Sequence, residues 1–369
     1  NLLAASALSN RKFRVISRSD STLRGHYPAE VMALKEGLQM KEVKQVIMPF
    51  FLEGGRITVN DIHYVKEGGQ LVPVSETPFA RDASFGYKNA DLKQWIQEKS
   101  KGEIESKDVC SISLYDLREK GPLKTAEKIF NTDTTAFVVN AVTTRDAEVA
   151  ALAFLLAEEK GAVLLYRTAA TIVQTLAGLR PRPLLTKGEL DLPPGGGSLT
   201  IVGSYVPKST DQLAYITQNQ EVSSIHVEVE KVLSEKSNDY LLQQYTREVE
   251  SCLLKGRDVV IYTSRELVTG NSARESLDIV AKISEFVVKI VKNISLRPRF
   301  IIAKGGITSS DIATKALGMK KAMVLGQLLP GVPVWRLDKE SRFAGMVYVV
   351  FPGNVGEKES LSRALSILK

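Results

Sequence analysis

Short β-branched runs alternate with segments of helical period along almost the whole chain, a pattern that predicts an α/β architecture. In the first half, strands are predicted at FRVIS (13–17), KQVIMPF (44–50), ITVNDIHYV (57–65), DVCSIS (108–113), TAFVVNA (135–141) and AVLLYRT (162–168). Helical patterns lie between several of them, at 28–40, 88–100, 121–131 and 144–160. The stretch IHYVKEGGQLVPV reads instead as a hairpin turning at Gly68-Gly69, so the first half is expected to be mixed and not purely parallel.

The pattern breaks at LRPRPLLTKGELDLPPGGGS, residues 179–198, which holds four prolines and four glycines and no apolar periodicity. This composition predicts a linker between a domain at 1–178 and another at 199–369. Beyond it the alternation resumes. Strands are predicted at LTIVGS, SSIHVEV, DVVIYTS, FIIAKGG, KAMVLG and MVYVVFPG, with long helical patterns at 234–255 and 271–293. The second sheet is expected to be mostly parallel.

Three predicted strands of the second half end in small or hydroxyl residues just before a helix signal. Gly203 and Ser204 close one, ahead of Ser209 and Thr210; Gly305 and Gly306 lead into Thr308; Gly353 and Gly356 precede the last helix. Glycine lets a ligand approach the backbone, and ligands of open α/β sheets bind beyond the carboxyl ends of the strands. Each stretch alone also has a purely structural reading. Thr308 with Asp311 resembles a helix cap with an acidic partner, and Gly353 and Gly356 can simply form a turn. Together the three favour a nucleotide or phosphate site. No GxxxxGK[ST] occurs and the full dinucleotide fingerprint is missing, so a P-loop enzyme and a standard dehydrogenase are disfavoured. Lys304 can reach a phosphate or simply face solvent, and the hydroxyls of Thr263 and Ser264 can cap a following helix.

A second polar concentration lies near the start. In SRSDSTLRG (17–25), a continued strand would put Arg18, Asp20 and Thr22 on one face and Ser19 and Ser21 on the other. Arg24 can grip a carboxylate, the hydroxyls of Ser21 and Thr22 suit a polyol, and Asp20 can accept a proton from a substrate hydroxyl. A solvated turn with an Arg18–Asp20 surface pair explains the same residues.

Composition narrows the classes. The chain of 369 residues is long enough for two cores, and no apolar run approaches a membrane span. Its net charge of +7 is spread among acids with no basic block, which argues against nucleic acid as a partner. Cys110 and Cys252 stand far apart in apolar contexts, as expected of reduced, buried thiols in a cytoplasmic setting. His26, His63 and His226 are scattered and form no local metal-ligand pattern; a Mg²⁺ ion carried in with a nucleotide stays open.

SRSDSTLRG resembles the K-x-DSTLRG motif of the four-carbon acid sugar kinases, which phosphorylate tetronate and 3-oxo-tetronate substrates with ATP. The resemblance runs through nearly the whole chain: FLEGGRITVNDIHYV with PFARD, FVVNAVTTRDAEVAAL, RTAATIVQTLAGL, IVGSYVPKSTDQL, AKGGITSSDIATKALG, LLPGVPVWRL and PGNVG fall in the family's order and spacing. It implies an amino-terminal acid-sugar domain and a carboxyl-terminal ATP domain with the active site in the cleft between them. On this resemblance the nucleotide motifs fall on Gly203, Ser204, Gly305, Gly306, Ile307, Thr308, Gly353 and Gly356. The acid-sugar motif falls on Arg18, Asp20, Ser21, Thr22 and Arg24, with Arg56 in the second block. Asp20 is the candidate base, and ATP and Mg²⁺ are the implied cofactors.

Three departures accompany the match. Arg18 replaces the family's usual lysine, Ile307 replaces a common acidic or polar residue, and the D-D-x-T-G-A strand expected upstream is missing. The chain is therefore expected to be an amino-terminally shortened form, and plant relatives that carry this module in a larger fused polypeptide offer one setting for it. The missing strand also motivates an alternative, a non-catalytic or regulatory module that keeps only nucleotide binding. An aldol enzyme would need a Schiff-base lysine or metal cluster that the sequence does not offer. A homodimer is compatible with either reading.

Overall fold

The computed structural model describes residues 1–82, 85–203, 206–234, 238–265, 273–353 and 355–369. It divides into two compact units, Asn1–Pro181 and Arg182–Lys369, each with its own α/β core.

The first unit runs α1 (Leu2–Ser9), β1 (Ile16–Arg18), α2 (Ala29–Gly37), β2 (Lys44–Met48), β3 (Arg56–Val59), β4 (Ile62–Glu67), β5 (Gln70–Pro73) and α3 (Leu92–Lys99). It continues through β6 (Val109–Ile112), α4 (Gly121–Asn131), β7 (Ala136–Val139), α5 (Thr144–Glu159), β8 (Leu164–Thr168) and α6 (Ala170–Leu176). Among the described residues, five strands form a parallel sheet in the order β1-β8-β2-β7-β6. Strands β7 and β8 are buried throughout and β2 nearly so. A parallel strand covered on both faces reads as a continuous apolar run, which is why these three stand out in the sequence. Helix α5 packs against the sheet through Phe154 and through Ala147, Ala150, Ala151, Ala153 and Ala157, small residues that let it approach closely. Its start is fixed by a capping box between Thr143 and Asp146.

The mixed character predicted for this half is divided between two sheets, because β3, β4 and β5 form a separate antiparallel one. The run 57–65, predicted as one strand, is broken into β3 and β4 at Asn60 and Asp61, whose φ values of 49° and 66° fit a tight hairpin turn. The hairpin at Gly68-Gly69 is present as predicted. The first predicted strand is shorter, since only Ile16–Arg18 pair, with β8.

The second unit contains β9 (Leu199–Val202), α7 (Pro207–Asn219), β10 (Ser223–Val227), α8 (Val229–Ser234), α9 (Asp239–Leu254), β11 (Val259–Thr263), α10 (Ala273–Asn293) and β12 (Phe300–Lys304). It ends with α11 (Gly306–Asp311), β13 (Ala322–Leu329), β14 (Val332–Leu337), β15 (Val347–Phe351) and α12 (Ser360–Leu368). Parts of the two long predicted helices, 235–237 and 271–272, lie outside the described residues. The sheet order is β10-β11-β9-β12-β15-β14-β13, parallel from β10 to β15 and antiparallel beyond, so it is mostly parallel as predicted.

The stretch predicted as a linker is built into the second unit from Arg182 onward. The Leu185 N–H donates to Gln327 O at 2.8 Å, and the Leu185 and Leu190 side chains are buried. Arg336 Nη2 donates to Leu190 O at 3.0 Å. These leucines carry no periodicity because the segment is not regular, so composition alone hides its anchors. Cys110 and Cys252 are free and half-buried, where full burial was expected. Among the described residues, no helix is long and apolar enough to cross a membrane.

Candidate functional site

In the first unit the polar loop leaves the sheet immediately after β1. Ser19 N still donates to Thr168 O at 2.8 Å, and then the chain turns through Leu23, at φ 67°, and Gly25, at φ 124°. The strand alternation expected for 18–22 is therefore not realised. A left-handed conformation costs an L-residue about 1–2 kcal/mol. Leu23 is fully buried, and burying a leucine side chain contributes about 1.5–3 kcal/mol, enough to offset that cost.

The turn brings Asp20, Thr22 and Arg24 together. Asp20 Oδ2 accepts from Thr22 Oγ1, from Arg24 Nε at 3.0 Å and from Arg24 N at 3.4 Å. Arg24 Nη1 lies 3.6 Å from Asp82 Oδ2. The pairing partner of Asp20 is thus Arg24; Arg18 is exposed at the end of β1 and forms no surface pair with it. Burial pushes the Asp20 carboxyl up, but the hydrogen bonds from Thr22 and Arg24 and the Arg24 charge outweigh it and hold it below the usual range. Asp20 is an ionised acceptor at neutral pH.

Arg56 joins this group from β3. The Arg24 and Arg56 guanidinium carbons lie 5.1 Å and 5.9 Å from the centre of the Phe79 ring, whose π face tolerates two cations that would otherwise repel. Arg56 Nη1 donates to Gly54 O, while its buried Nε has no partner. Burial pulls the Arg56 guanidinium down and Arg24 adds to this, against the attraction of Asp20 and Glu67. Arg24 is matched by two carboxylates, whereas Arg56 keeps hydrogen-bonding capacity in hand. Ser21 contributes its carbonyl, which meets His63 Nε2 at 2.8 Å.

Sequence reasoning missed five residues here. Phe79 and Asp82 lie in the quoted PFARD stretch without an assigned role. His63 and Tyr87 are buried donors that meet the carbonyls of Ser21 and Thr22. Arg167 belongs with them, and its signal was legible: a cation at the end of the apolar run AVLLYRT, 1 % exposed and hydrogen-bonded through Nε to Glu30 at 2.8 Å. A buried guanidinium without such a partner would be strongly destabilising.

In the second unit two of the three glycine-bearing strand ends meet at one cavity of about 240 Å³, which Gly353 and Gly356 do not line. Gly203 and Thr263 contribute the ends of β9 and β11, and Gly305, Gly306 and Thr308 the start of α11. Ile283 and Val287 of α10 give the cavity an apolar wall. Gly305 has φ 119°, and its N–H donates to Phe351 O at 2.8 Å. Ser309 Oγ donates to Ala303 O and Gly305 O, both at 2.6 Å, which locks the turn.

Thr308 does not cap α11. The cap position is Gly305, and Asp311 accepts from Ser284 Oγ at 3.0 Å and pairs with Lys315 at 3.0 Å. Thr308 is released to face Gly203, and Ile307 is exposed. Ser204 lies outside the described residues. Ser264 Oγ accepts from Val229 N at 3.1 Å, so it serves the preceding helix α8.

Lys304 neither reaches out to a ligand nor faces solvent. Its side chain is fully buried, with Nζ donating to Pro352 O at 2.7 Å and Gly353 O at 3.1 Å and lying 4.2 Å from the centre of the Phe351 ring. Ser209 Oγ donates to Gly353 O at 2.9 Å, and Gln212 Nε2 donates to Val355 O and Glu357 O at 3.0 and 2.8 Å. The last glycine-bearing turn, with Gly356 at φ 83°, is therefore pinned by β12 and α7.

Residues 1–176 match the family model of the sugar-binding N-terminal domain, and residues 199–361 match that of the nucleotide-binding C-terminal domain. The chain belongs to the four-carbon acid sugar kinase family. The first unit is accordingly the family's sugar-binding domain and the second its nucleotide-binding domain. Two solved structures share the fold. One is a Salmonella typhimurium LT2 protein provisionally described as a tRNA synthase, with 16 % identity, a TM-score of 0.71 and coverage of 98 % of this chain and 83 % of that one. The other is the Haemophilus influenzae protein HI1011 of family DUF1537, with 18 % identity, a TM-score of 0.68 and coverage of 100 % and 85 %. No curated protein matches the sequence.

Proposed function

We propose that the protein transfers the γ-phosphoryl group of ATP to a hydroxyl of a four-carbon acid sugar of the 3-oxo-tetronate, threonate or erythronate type. The observation that carries this reading is the juxtaposition of an ionised acceptor, Asp20, with two guanidiniums on the Phe79 ring of a sugar-binding domain. Asp20 accepts the proton of the attacking hydroxyl, the bond between the γ-phosphorus and the β,γ-bridging oxygen breaks as the new oxygen–phosphorus bond forms, and ADP leaves with the bridging oxygen. Arg56 receives the substrate carboxylate, while Arg24, already matched by Asp20 and Asp82, orients the base. Ser21 serves a polyol hydroxyl, while Thr22, buried with its hydroxyl given to Asp20, holds the base in place.

The nucleotide-binding domain suits the donor. The apolar wall of Ile283 and Val287 accepts the base, and the turn at Gly305, Gly306 and Thr308 lets the phosphates approach the backbone. Gly203, with the turn holding Gly353 and Gly356, shapes the rest of that surface. Mg²⁺ enters with ATP, with phosphate oxygens and water supplying most of its ligands.

The test is ADP release from ATP–Mg²⁺ with a panel of tetronates and 3-oxo-tetronates, with the phosphorylated product identified by mass. Nucleotide binding without binding or turnover of any acid sugar would overturn the kinase reading in favour of a regulatory module.

A further inference from the structure

The loop that carries Asp20 and Arg24 is held by its backbone from three sides. The carbonyl of Ser21 meets His63 Nε2 from β4 at 2.8 Å, that of Thr22 accepts from the Tyr87 hydroxyl at 2.6 Å, and that of Arg24 accepts from Arg167 Nη2 of β8 at 3.3 Å. All three donors are buried, and His63 and Arg167 are fixed by partners of their own. Thr58 Oγ1 lies 2.9 Å from His63 Nδ1. A carbonyl only accepts, so the proton sits on Nε2 and Nδ1 accepts from the threonine hydroxyl. Arg167 is gripped by Glu30 and lies over the Trp95 and Tyr27 rings, at 4.7 Å and 5.4 Å.

The placement of these bonds matters. They fall on the carbonyls around Leu23, where the backbone adopts the left-handed conformation that a leucine ordinarily avoids. Local sequence preference does not specify that turn, so distant residues must. With the carbonyls engaged on the protein side, the Asp20 carboxylate and the Arg24 side chain stay only part-buried, about a third exposed. None of the three donors contacts the Asp20 carboxylate itself among the described residues.

We propose that His63, Tyr87 and Arg167 are positioning residues for the acid-sugar site, which fix the Ser21, Thr22 and Arg24 carbonyls and thereby set the geometry of Asp20 against Arg24. The catalytic consequence rests on the reading of that site as the acid-sugar site; the mechanical one does not. Burial pushes the His63 imidazole down to about 4, so the donor stays neutral throughout the physiological range.

The test uses the full chain with His63→Leu, which removes the donor, and His63→Gln, whose amide nitrogen can replace Nε2–H. Hydrogen exchange of the amides of residues 19–25, without ligand, is expected to accelerate about tenfold in His63→Leu and to return towards the wild-type rate in His63→Gln, with β2 unchanged. With erythronate and threonate as probes, kcat falls on the order of 100-fold in His63→Leu while the KM for ATP holds, and glutamine rescues it. Unchanged exchange in His63→Leu, or glutamine as defective as leucine, overturns the proposal. If the wild type phosphorylates no acid sugar, the kinase reading fails, and the exchange measurement still decides the positioning role. Should His63→Leu not fold, Tyr87→Phe deletes a single hydroxyl donor and supports the same comparison, with faster loop exchange expected and an unchanged rate counting against the proposal.

Discussion

Gly203 and Thr308 compete for one volume: a β-carbon on residue 203 would overlap the Thr308 hydroxyl. The end of β9 can carry only glycine if Thr308 is to keep its place in the cavity wall. Gly203→Ala is therefore expected to displace Thr308 and weaken ATP–Mg²⁺ binding at least about tenfold, or roughly 1.4 kcal/mol. Acid-sugar binding, which belongs to the other unit, should stay at the wild-type value. Calorimetric titration of each ligand measures both, and full ATP affinity in Gly203→Ala would remove Thr308 from the nucleotide site.

Asp20 provides the sharpest test of mechanism. Its carboxyl lies below the usual range because hydrogen bonds and the Arg24 charge overcome burial, so it is already ionised well below neutrality. No acid limb from this group should appear in kcat between about pH 5 and 8. Asp20→Asn keeps the shape but not the proton acceptor, and turnover should fall by roughly 10²- to 10⁴-fold. The KM for ATP should stay within about twofold of wild type, since no nucleotide contact is assigned to Asp20. Near-normal ADP release by the asparagine variant would exclude Asp20 as the base.

What was legible in the sequence, and what was not, follows from where the determining contacts lie. The strands buried on both faces announce themselves as continuous apolar runs, and two of the three glycine-bearing strand ends, at Gly203 and at Gly305-Gly306, line one cavity. The polar loop was legible as a cluster but not as a shape. Its turn at Leu23 depends on residues 63, 87 and 167, and no local preference would place a leucine in that conformation. Lys304 escaped for the same reason, because its two carbonyl partners lie nearly fifty residues onward. The proline- and glycine-rich stretch failed differently: composition described its irregular backbone correctly but concealed two buried leucines.

Gly54 and Arg56 make a smaller pair with a testable consequence. A β-carbon on Gly54 would stand 2.6 Å from Arg56 Nη1 and 2.5 Å from the Phe51 ring, so Gly54→Ala must move the guanidinium. If Arg56 receives the substrate carboxylate, this variant should raise the KM for erythronate by about tenfold or more, the scale of a charge-assisted hydrogen bond. Erythritol, which has the same carbon chain and configuration without the carboxylate, should be affected much less. Equal loss for both compounds would show that Arg56 does not recognise the acid group.

Lys304 predicts a pH dependence of stability opposite to that of a paired surface lysine. Burial, with Lys208 adding to it, pulls its amino group down from 10.5 to about 7. Between these values the unfolded chain binds a proton that the folded one has released, so the stability of the second unit should rise as pH increases from about 7 to 10. Below pH 7 both states are protonated and the cost of burying the charge is fully present; above 10.5 both are neutral and the term vanishes. Lys304→Met removes the titrating group while keeping a flexible apolar stem. It also frees the carbonyls of Pro352 and Gly353, which should loosen the terminal glycine-bearing turn and weaken ATP binding. Thermal unfolding of wild type and Lys304→Met across pH 6 to about 10 separates the two effects. The difference in Tm between them should change in favour of the wild type as pH rises, and two curves that stay parallel would mean that Lys304 keeps its ordinary charge inside the fold.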